Sequence, residues 1–209
     1  ISDQLYAKLE SLNPGGSIKD RPIKYILDKM ERAGEIIPGD TIIEASSGNN
    51  GIALAMHGAI KGYKIKIIMP KNMSEERKKI INGFGAELIL VDDGAFDKAI
   101  DLRNFMCKKH GWKTTNQFHS KLNIECHRHE TGSEIVGECM MRGFYPKAFI
   151  SGTGTGGTIM GIGSALKNSF ENVQIWAVEP LESPVMAGGK PGLHGIQGIG
   201  DGSKFMVDL

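Results

Sequence analysis

The hydrophobic residues of this chain follow two alternating spacings, one typical of helices and one typical of strands. Ile23, Ile26, Leu27 and Met30 recur every three or four residues, which predicts a helix that ends before Gly34. Short aliphatic runs between such helices predict strands. The predicted strands are residues 41–43, 64–69, 88–91, 148–150 and 173–178, and the predicted helices are residues 22–33, 51–60, 74–84, 96–109, 130–141 and 157–167.

Predicted strands and helices alternate along most of the chain. Alternation of this kind is typical of parallel strands joined by right-handed helical crossovers, so the predicted fold class is α/β, with mainly parallel twisted sheets flanked by helices. Ligands of such sheets bind beyond the carboxyl ends of the strands. Two loops of distinctive composition, residues 44–51 and 151–158, both follow predicted strands and are therefore the candidate binding loops.

Composition narrows the possible partners. The 209 residues carry a net charge of +1 and are 40% hydrophobic, so we expect a globular protein that binds neither nucleic acid nor a membrane surface. No apolar run approaches the length of a membrane span, and the N-terminus lacks a signal-peptide pattern, so we expect a cytoplasmic location. Cys107, Cys126 and Cys139 are odd in number and lack CxxC spacing, which favours reduced thiols. His127 and His129 would point apart if their segment is helical, so no metal site is expected.

Lys19 lies in a sequence that is typical of a helix start. Ser17 and Asp20 form a Ser-x-x-Asp capping box, which places Lys19 near the positive end of the helix dipole. That field disfavours an ammonium by roughly 0.3–1 kcal/mol, and burial would lower the pKa of the amine further. A neutral lysine can form imines and abstract protons. On these residues alone, a solvated lysine at a helix start stays an alternative.

Residues 44–51 join a predicted strand to a predicted helix and combine hydroxyl, amide and glycine residues. Their backbone N–H groups and short polar side chains face the positive end of the helix, an arrangement suited to a carboxylate. Taken alone, serine and asparagine at a helix start are equally typical of plain capping. The residues concerned are Ser46, Ser47, Gly48, Asn49, Asn50 and Gly51.

Residues 151–158 also connect a strand to a helix, and their glycines and threonines favour a phosphate-binding turn. Gly152, Gly154 and Gly157 satisfy the G-x-G-x-x-G pattern of dinucleotide-binding proteins as well. Glu179 then follows Gly152 by 27 residues, where about 20 is usual for the acidic residue that binds the ribose. A nicotinamide-dinucleotide oxidoreductase therefore stays open as an alternative from these residues.

Five segments together carry a family resemblance. Residues 13–21, 46–51 and 154–158, supported by residues 6–10 and 191–200, resemble fold type II pyridoxal-phosphate enzymes. Within that group the chain is similar to cysteine synthase, also called O-acetylserine sulfhydrylase, with cystathionine β-synthase as a close relative. Serine and threonine dehydratases of this fold usually have phenylalanine before the lysine and histidine in the asparagine loop, whereas this chain has isoleucine and asparagine there.

The resemblance implies a role for each matched residue. Lys19 would carry pyridoxal 5'-phosphate and take the α-proton of the amino-acid substrate. Acetate would leave O-acetylserine to give an aminoacrylate intermediate, to which sulfide adds to form cysteine. The implied cofactor-binding residues are Lys19, Asn49, Gly154, Thr155, Gly156, Gly157 and Thr158. The implied substrate-binding residues are Ser46, Ser47, Gly48, Asn50, Gln117 and Gly198.

Other activities and partners stay open under the same resemblance. A cystathionine β-synthase-type condensation of serine with homocysteine is the alternative reaction within the family, and a non-catalytic scaffold or regulatory partner is an alternative of another class. The resemblance further implies an amino-acid substrate and sulfide as small-molecule partners, a homodimer, and the tail of a serine acetyltransferase as a protein partner.

The resemblance also implies a domain organisation. A larger cofactor domain would comprise residues 1–39 and 146–209, and a smaller, mobile substrate-binding domain would comprise residues 40–145. The chain matches neither the family's usual N-terminal strand region nor the segment that supplies a serine to the pyridine nitrogen, so we expect a truncated chain with poor stability or activity in isolation. Ser46 and Asn50 stand where cysteine synthases usually have threonine, and both side chains still donate hydrogen bonds.

Overall fold

The computed structural model describes residues 5–46, 48–93, 96–200 and 206–207. The chain divides into two compact units, Ile1–Thr115 and Asn116–Leu209. The division into residues 1–39 with 146–209 and residues 40–145, which the family resemblance implies, stays a prediction.

The first unit contains a three-stranded parallel sheet. Its strands lie in the order β1, β2, β3, with Ile43 opposite Lys66 and Ile68 opposite Ile89. The predicted parallel α/β class is confirmed. The elements are a 3₁₀ turn (Glu10–Leu12), α1 (Asp20–Arg32), β1 (Thr41–Ala45), α2 (Asn49–Lys61), β2 (Lys64–Pro70), α3 (Glu75–Gly83), β3 (Glu87–Val91) and α4 (Phe96–His110).

Strands β1 and β2 form the centre of this unit. Helix α4 packs on both strands, and α2 packs on β2. Ile42, Ile43, Ile67 and Ile68 are completely buried, which is why these strands read as continuous aliphatic runs and not as alternating ones. The carboxyl end of β1 leads directly into the loop that precedes α2, so the core fixes the position of the first candidate loop.

The second unit contains a two-stranded parallel sheet and a nearly continuous helical segment. Strand β4 pairs with β5 in parallel, with Ile150 opposite Trp176. Its elements are α5 (Lys121–Cys126), a π-helical stretch (His127–Thr131), α6 (Gly132–Arg142), β4 (Ala148–Gly152), α7 (Gly157–Ser169) and β5 (Gln174–Val178).

The helical segment that begins at Lys121 corrects the sequence prediction, which started a helix only at Glu130. Hydrophobic spacing missed the first part because its buried side chains are largely polar: Asn123, His127 and Thr131 are all almost completely inaccessible. The π-helical stretch also shifts the buried face away from the regular 3.6-residue period.

Glycines allow α7 to pack closely on this segment. A Cβ atom on Gly161 would collide with the carbonyl oxygen of Ile124 and approach the Cβ of His127 to 2.6 Å. A Cβ on Gly132 would lie 2.6 Å from the Cβ of Ala165. Helix α7 is therefore held close against α5, the π-helical stretch and the start of α6.

Gly161→Ala is expected to destabilise the protein by about 1–3 kcal/mol, because the added methyl group overlaps rigid backbone. The better helix propensity of alanine, worth about 1 kcal/mol, opposes this loss. Urea-induced unfolding followed by circular dichroism measures the difference. Gly137→Ala in α6 is the matched control, because no described atom lies within 4 Å of its added Cβ. Equal midpoints for the two variants would contradict the packing account.

The structure bears on membrane-spanning helices and on the cysteine thiols. No helix in the described parts of the chain has both the length and the apolar character needed to cross a membrane. Cys107, Cys126 and Cys139 form no disulfide among the described residues, in agreement with the expectation of reduced thiols. Burial raises the pKa of the Cys107 and Cys139 thiols, so the thiolate form of each is disfavoured.

Candidate active site

Lys19 occupies the start of α1. Its backbone is already helical (φ −68°, ψ −18°), and its carbonyl oxygen accepts the first helical hydrogen bond from the N–H of Ile23 at 3.2 Å. The side chain is half-buried. The backbone of Lys19 therefore lies at the N-terminus of α1, where the helix dipole is positive.

The prediction of a capping box at this helix start is wrong, because the hydrogen bonds differ from those that define such a box. Ser17 Oγ accepts a hydrogen bond from the N–H of Lys19 at 3.2 Å, one residue earlier than a capping box requires. The Asp20 carboxylate reaches back to the N–H of Gly15 at 2.6 Å. A Cβ on Gly15 would lie 3.1 Å from Asp20 Cγ, so the glycine permits this close approach. The glycine-rich turn before Lys19 is thus held by the helix that follows it.

The loop between β1 and α2 presents donors at a helix N-terminus. Buried Ser46 accepts hydrogen bonds from the N–H groups of Gly48 (3.3 Å) and Gly51 (2.9 Å) through Oγ, which leaves the hydroxyl proton as its donor. Asn49 is exposed at the first position of α2. Ser47, a predicted substrate-binding residue, lies outside the described residues.

Asn50 is the most unusual side chain of this loop. It is only 4% exposed, yet neither Oδ1 nor Nδ2 has a hydrogen-bond partner among the residues that the structure describes. Leaving buried polar atoms unpaired costs roughly 1–3 kcal/mol. An arrangement of this kind is explained when a bound ligand supplies the missing partner.

A buried ion pair lies behind the same loop. Glu44, in β1, is completely buried, and its Oε1 accepts a hydrogen bond from Arg103 Nη1 of α4 at 2.8 Å. The hydroxyls of Thr114 (3.0 Å) and Thr115 (2.6 Å) donate to Glu44 Oε2. Sequence analysis missed this cluster, although a glutamate within an otherwise aliphatic strand is a signal for a buried and compensated charge.

The second candidate loop lies between β4 and α7. Gly156 is the N-cap residue of α7 and has φ +91°, a conformation that favours glycine. A Cβ there would also lie 2.7 Å from Val207 Cγ2. The 13-residue helix begins at Gly157, so the backbone N–H groups of its first turn face the loop as expected for an anion site.

Two threonine hydroxyls of this loop are engaged from the protein interior. Thr155 Oγ1 accepts a hydrogen bond from Asn123 Nδ2 at 3.0 Å. Thr158 Oγ1 lies 3.4 Å from Nε2 of buried His127, whose Nδ1 lies 2.9 Å from Thr131 Oγ1. Asn123 and His127 are functional candidates that sequence analysis missed, because hydrophobic spacing gives no signal for polar groups on a buried helix face.

The two remaining predicted substrate-binding residues also lie in the second unit. Gln117 is almost fully buried, and its backbone carbonyl accepts a hydrogen bond from Asn123 Nδ2 at 3.2 Å. Gly198 has φ +85° in the loop that follows β5. Lys19 and the loop of residues 46–50 lie in the first unit, and Gln117, Gly198 and residues 154–158 lie in the second.

The structure gives Glu179 a different role from the one that the dinucleotide alternative requires. Its carboxylate oxygens accept hydrogen bonds from the N–H groups of Met186 and Ala187, each at 2.9 Å. A ribose would have to compete with both bonds. His194 is likewise engaged, with Nδ1 accepting from the N–H of Ile196 and Nε2 lying 3.0 Å from the carbonyl of Gly200. Both side chains thus stabilise the loop after β5.

Comparison with known proteins identifies close relatives over nearly the whole chain. A family model described as "Pyridoxal-phosphate dependent enzyme" matches residues 1–208. A cysteine synthase of Staphylococcus aureus is 45% identical over 203 residues, which cover 95% of this chain and 64% of that protein. The chain thus spans slightly less than two thirds of the length of this curated relative.

Solved structures of related enzymes also match most of this chain. The crystal structure of a hydrogen sulfide-producing enzyme from Fusobacterium nucleatum matches with a TM-score of 0.94 at 41% identity, covering 98% of this chain and 63% of that one. A cysteine synthase from Entamoeba histolytica matches with a TM-score of 0.87 at 41% identity, covering 93% of this chain and 57% of that one. Each match extends across both compact units.

Proposed function

This chain belongs to the pyridoxal-phosphate-dependent enzyme family, and we propose that it catalyses β-replacement on O-acetylserine, in which sulfide displaces acetate to give cysteine. Fold type II and the cofactor, both expected from the family resemblance, are confirmed. The names of the relatives support this reaction. Within the chain, the observation that carries the proposal is Asn50, a buried and unpartnered amide in a loop built to hold a carboxylate.

The residues present fit pyridoxal 5'-phosphate. The N-terminus of α7, with Thr155 and Thr158, offers N–H and O–H donors for the phosphate. Asn49 is exposed and able to donate to the ring hydroxyl, and the half-buried Lys19 offers an amine for covalent attachment. When bound, the cofactor withdraws electrons from the α-carbon of the amino acid.

The chain's own residues have three tasks in this reaction. The Lys19 amine takes the α-proton of O-acetylserine. Ser46, Asn50 and Gln117 hold the substrate carboxylate, and such orientation contributes several kcal/mol to lowering the barrier. Acetate leaves the β-carbon, and hydrosulfide then forms a bond with the same carbon.

Product analysis tests the reaction. Incubation of the protein with pyridoxal phosphate, O-acetylserine and sulfide is expected to yield cysteine and acetate in equal amounts. Serine with homocysteine is the competing pair, and its preferential conversion to cystathionine would replace the proposed reaction. Production of hydrogen sulfide, the activity named for the Fusobacterium relative, is measured in parallel with cysteine as the trial substrate.

Asn50→Leu is expected to raise the KM for O-acetylserine by about 10- to 100-fold with a smaller change in kcat. Leucine has a similar size but cannot donate to the carboxylate, and a hydrogen bond to a charged group contributes about 1.5–3 kcal/mol. Asn50→Thr keeps one donor, so its KM should stay within several-fold of the original value. Steady-state kinetics of both variants measure the KM for O-acetylserine and kcat. An unchanged KM in Asn50→Leu would remove this residue from the carboxylate site.

From the family resemblance we also propose a homodimer, a cytoplasmic location and the tail of a serine acetyltransferase as a protein partner. Because such a tail ends in a carboxylate, it would compete with the amino-acid substrate for the donors of Ser46 and Asn50.

A further inference from the structure

Asn123 connects the two groups of proposed ligands in the second unit. We propose that Asn123 is a positioning residue that orients the Thr155 hydroxyl toward the cofactor phosphate and anchors the Gln117 segment of the carboxylate site. This inference depends on the proposed function, since it assigns a role at the same site. Asn123 is the third residue of α5 and is only 2% exposed.

The orientation of the Asn123 amide follows from its neighbours. Nδ2 lies 3.2 Å from the backbone carbonyl oxygen of Gln117, which can only accept a hydrogen bond. The amino group must therefore face this carbonyl. The same amino group lies 3.0 Å from Thr155 Oγ1 and donates its second hydrogen there.

The donated hydrogen bond sets the polarity of Thr155. Its Oγ1 accepts from Asn123 Nδ2 and, at 3.5 Å, from the N–H of Gly157. With its lone pairs facing these two N–H groups, the hydroxyl has its own proton left to donate. A hydroxyl that donates at the N-terminus of α7 is matched to an anion and adds to the helix dipole.

The oxygen of the Asn123 amide is in a less favourable environment than its amino group. Asn123 Oδ1 is buried and has no hydrogen-bond partner within the described parts of the chain. It occupies the space where a Cβ on Gly157 would lie, so glycine is required at the first residue of α7. An apolar side chain would fill the same volume without an unpaired oxygen, so packing alone does not account for asparagine at this position.

Two substitutions separate positioning from packing. Asn123→Leu keeps the branched shape and the number of side-chain heavy atoms but removes the donor, so the Thr155 hydroxyl loses its imposed orientation. Asn123→Asp keeps the shape but reverses the bond, because a carboxylate accepts from Thr155 and turns the hydroxyl proton away from the phosphate. The carboxylate also adds a negative charge beside a phosphate.

The dissociation constant of pyridoxal phosphate, measured by absorbance titration of the apoprotein, is expected to rise about threefold in Asn123→Leu and at least tenfold in Asn123→Asp. The ³¹P resonance of the bound phosphate should shift in both variants. The KM for O-acetylserine should rise more than kcat falls, because the Gln117 segment loses its anchor. Ile162→Val is the matched control, since this buried residue of α7 packs in the core with Leu166 and Phe170.

Failure of the positioning role can be distinguished from failure of the proposed function. Unchanged cofactor affinity and ³¹P shift in both Asn123 variants would overturn the positioning role, as would an equal loss of affinity in Ile162→Val. If the unsubstituted protein itself bound no pyridoxal phosphate, the proposed function would fail and this inference with it. Rescue of Asn123→Asp affinity at low pH, where the protonated acid donates again, would support the role.

Discussion

Replacing Lys19 with alanine is expected to abolish the visible absorbance band of the covalently bound cofactor and to reduce turnover by at least 10²–10⁴-fold, roughly the contribution of positioned proton transfer. The expectation follows from the half-buried position of Lys19 at the start of α1. The residue lies at the N-terminal, positive end of the helix dipole, and a lysine amine is the group that forms an imine with an aldehyde. Absorbance spectra and cysteine formation measure the two effects.

Lys24→Ala is the matched control for this experiment. Lys24 lies in the same helix, but its side chain is 57% exposed and pairs with Asp28 in an exposed i,i+4 ion pair. Such pairs contribute little to stability, so spectrum and turnover should both be retained. A Lys19→Ala enzyme with an unchanged spectrum and full turnover would show that another group attaches the cofactor.

Arg103→Ala is expected to lower the free energy of unfolding by about 3–5 kcal/mol, the cost of leaving a buried charge without its partner. The Glu44 carboxylate is completely buried and would lose the guanidinium that lies 2.8 Å from its Oε1. The hydrogen bonds from Thr114 and Thr115 cannot neutralise the remaining charge. Because β1 leads into the candidate carboxylate loop, the KM for O-acetylserine should rise as well.

A double variant tests the cause of this destabilisation. Glu44→Gln removes the charge and keeps an acceptor for the threonine hydroxyls, so Glu44→Gln/Arg103→Ala should be more stable than Arg103→Ala. Urea-induced unfolding of both single variants and the double variant gives the coupling free energy. A double variant no more stable than Arg103→Ala would mean that lost packing of Arg103, and not the uncompensated charge, dominates.

Sequence patterns predicted most of the regular structure where the buried face is aliphatic. The spacing of Ile23, Ile26, Leu27 and Met30 placed α1 within two residues of its observed start, and all four side chains are buried. Strands β1 and β2 were recognisable as aliphatic runs because consecutive residues such as Ile42 and Ile43, or Ile67 and Ile68, are all buried. Local spacing was sufficient in these elements, since burial and hydrophobicity coincide.

The prediction failed where polar groups are buried. Helix α5 and the π-helical stretch were missed because Asn123 and His127 take the positions that aliphatic residues usually occupy. Their contacts to Thr155 and Thr158 join residues that are more than thirty positions apart, and the Glu44–Arg103 pair spans 59. Single-sequence periodicity carries no information on such pairs.

The candidate site was predicted in part for a similar reason. Glycine-rich loops and the lysine motif are contiguous in sequence, so their residues are recognisable from the sequence alone. The capping bonds around Lys19 could not, because Asp20 binds Gly15, five residues away, in place of the expected partner. Each loop was therefore recognisable as a motif, while the side chains that hold it in place were not.

Identification of the lysine that carries the cofactor shows whether Lys19 is the point of attachment. The protein is incubated with pyridoxal phosphate, reduced with borohydride and digested with a protease that does not cleave at lysine, and the peptides are sequenced by mass spectrometry. The account predicts a pyridoxyl adduct on Lys19. An adduct on a different lysine, or none on a protein that still forms cysteine, would contradict it.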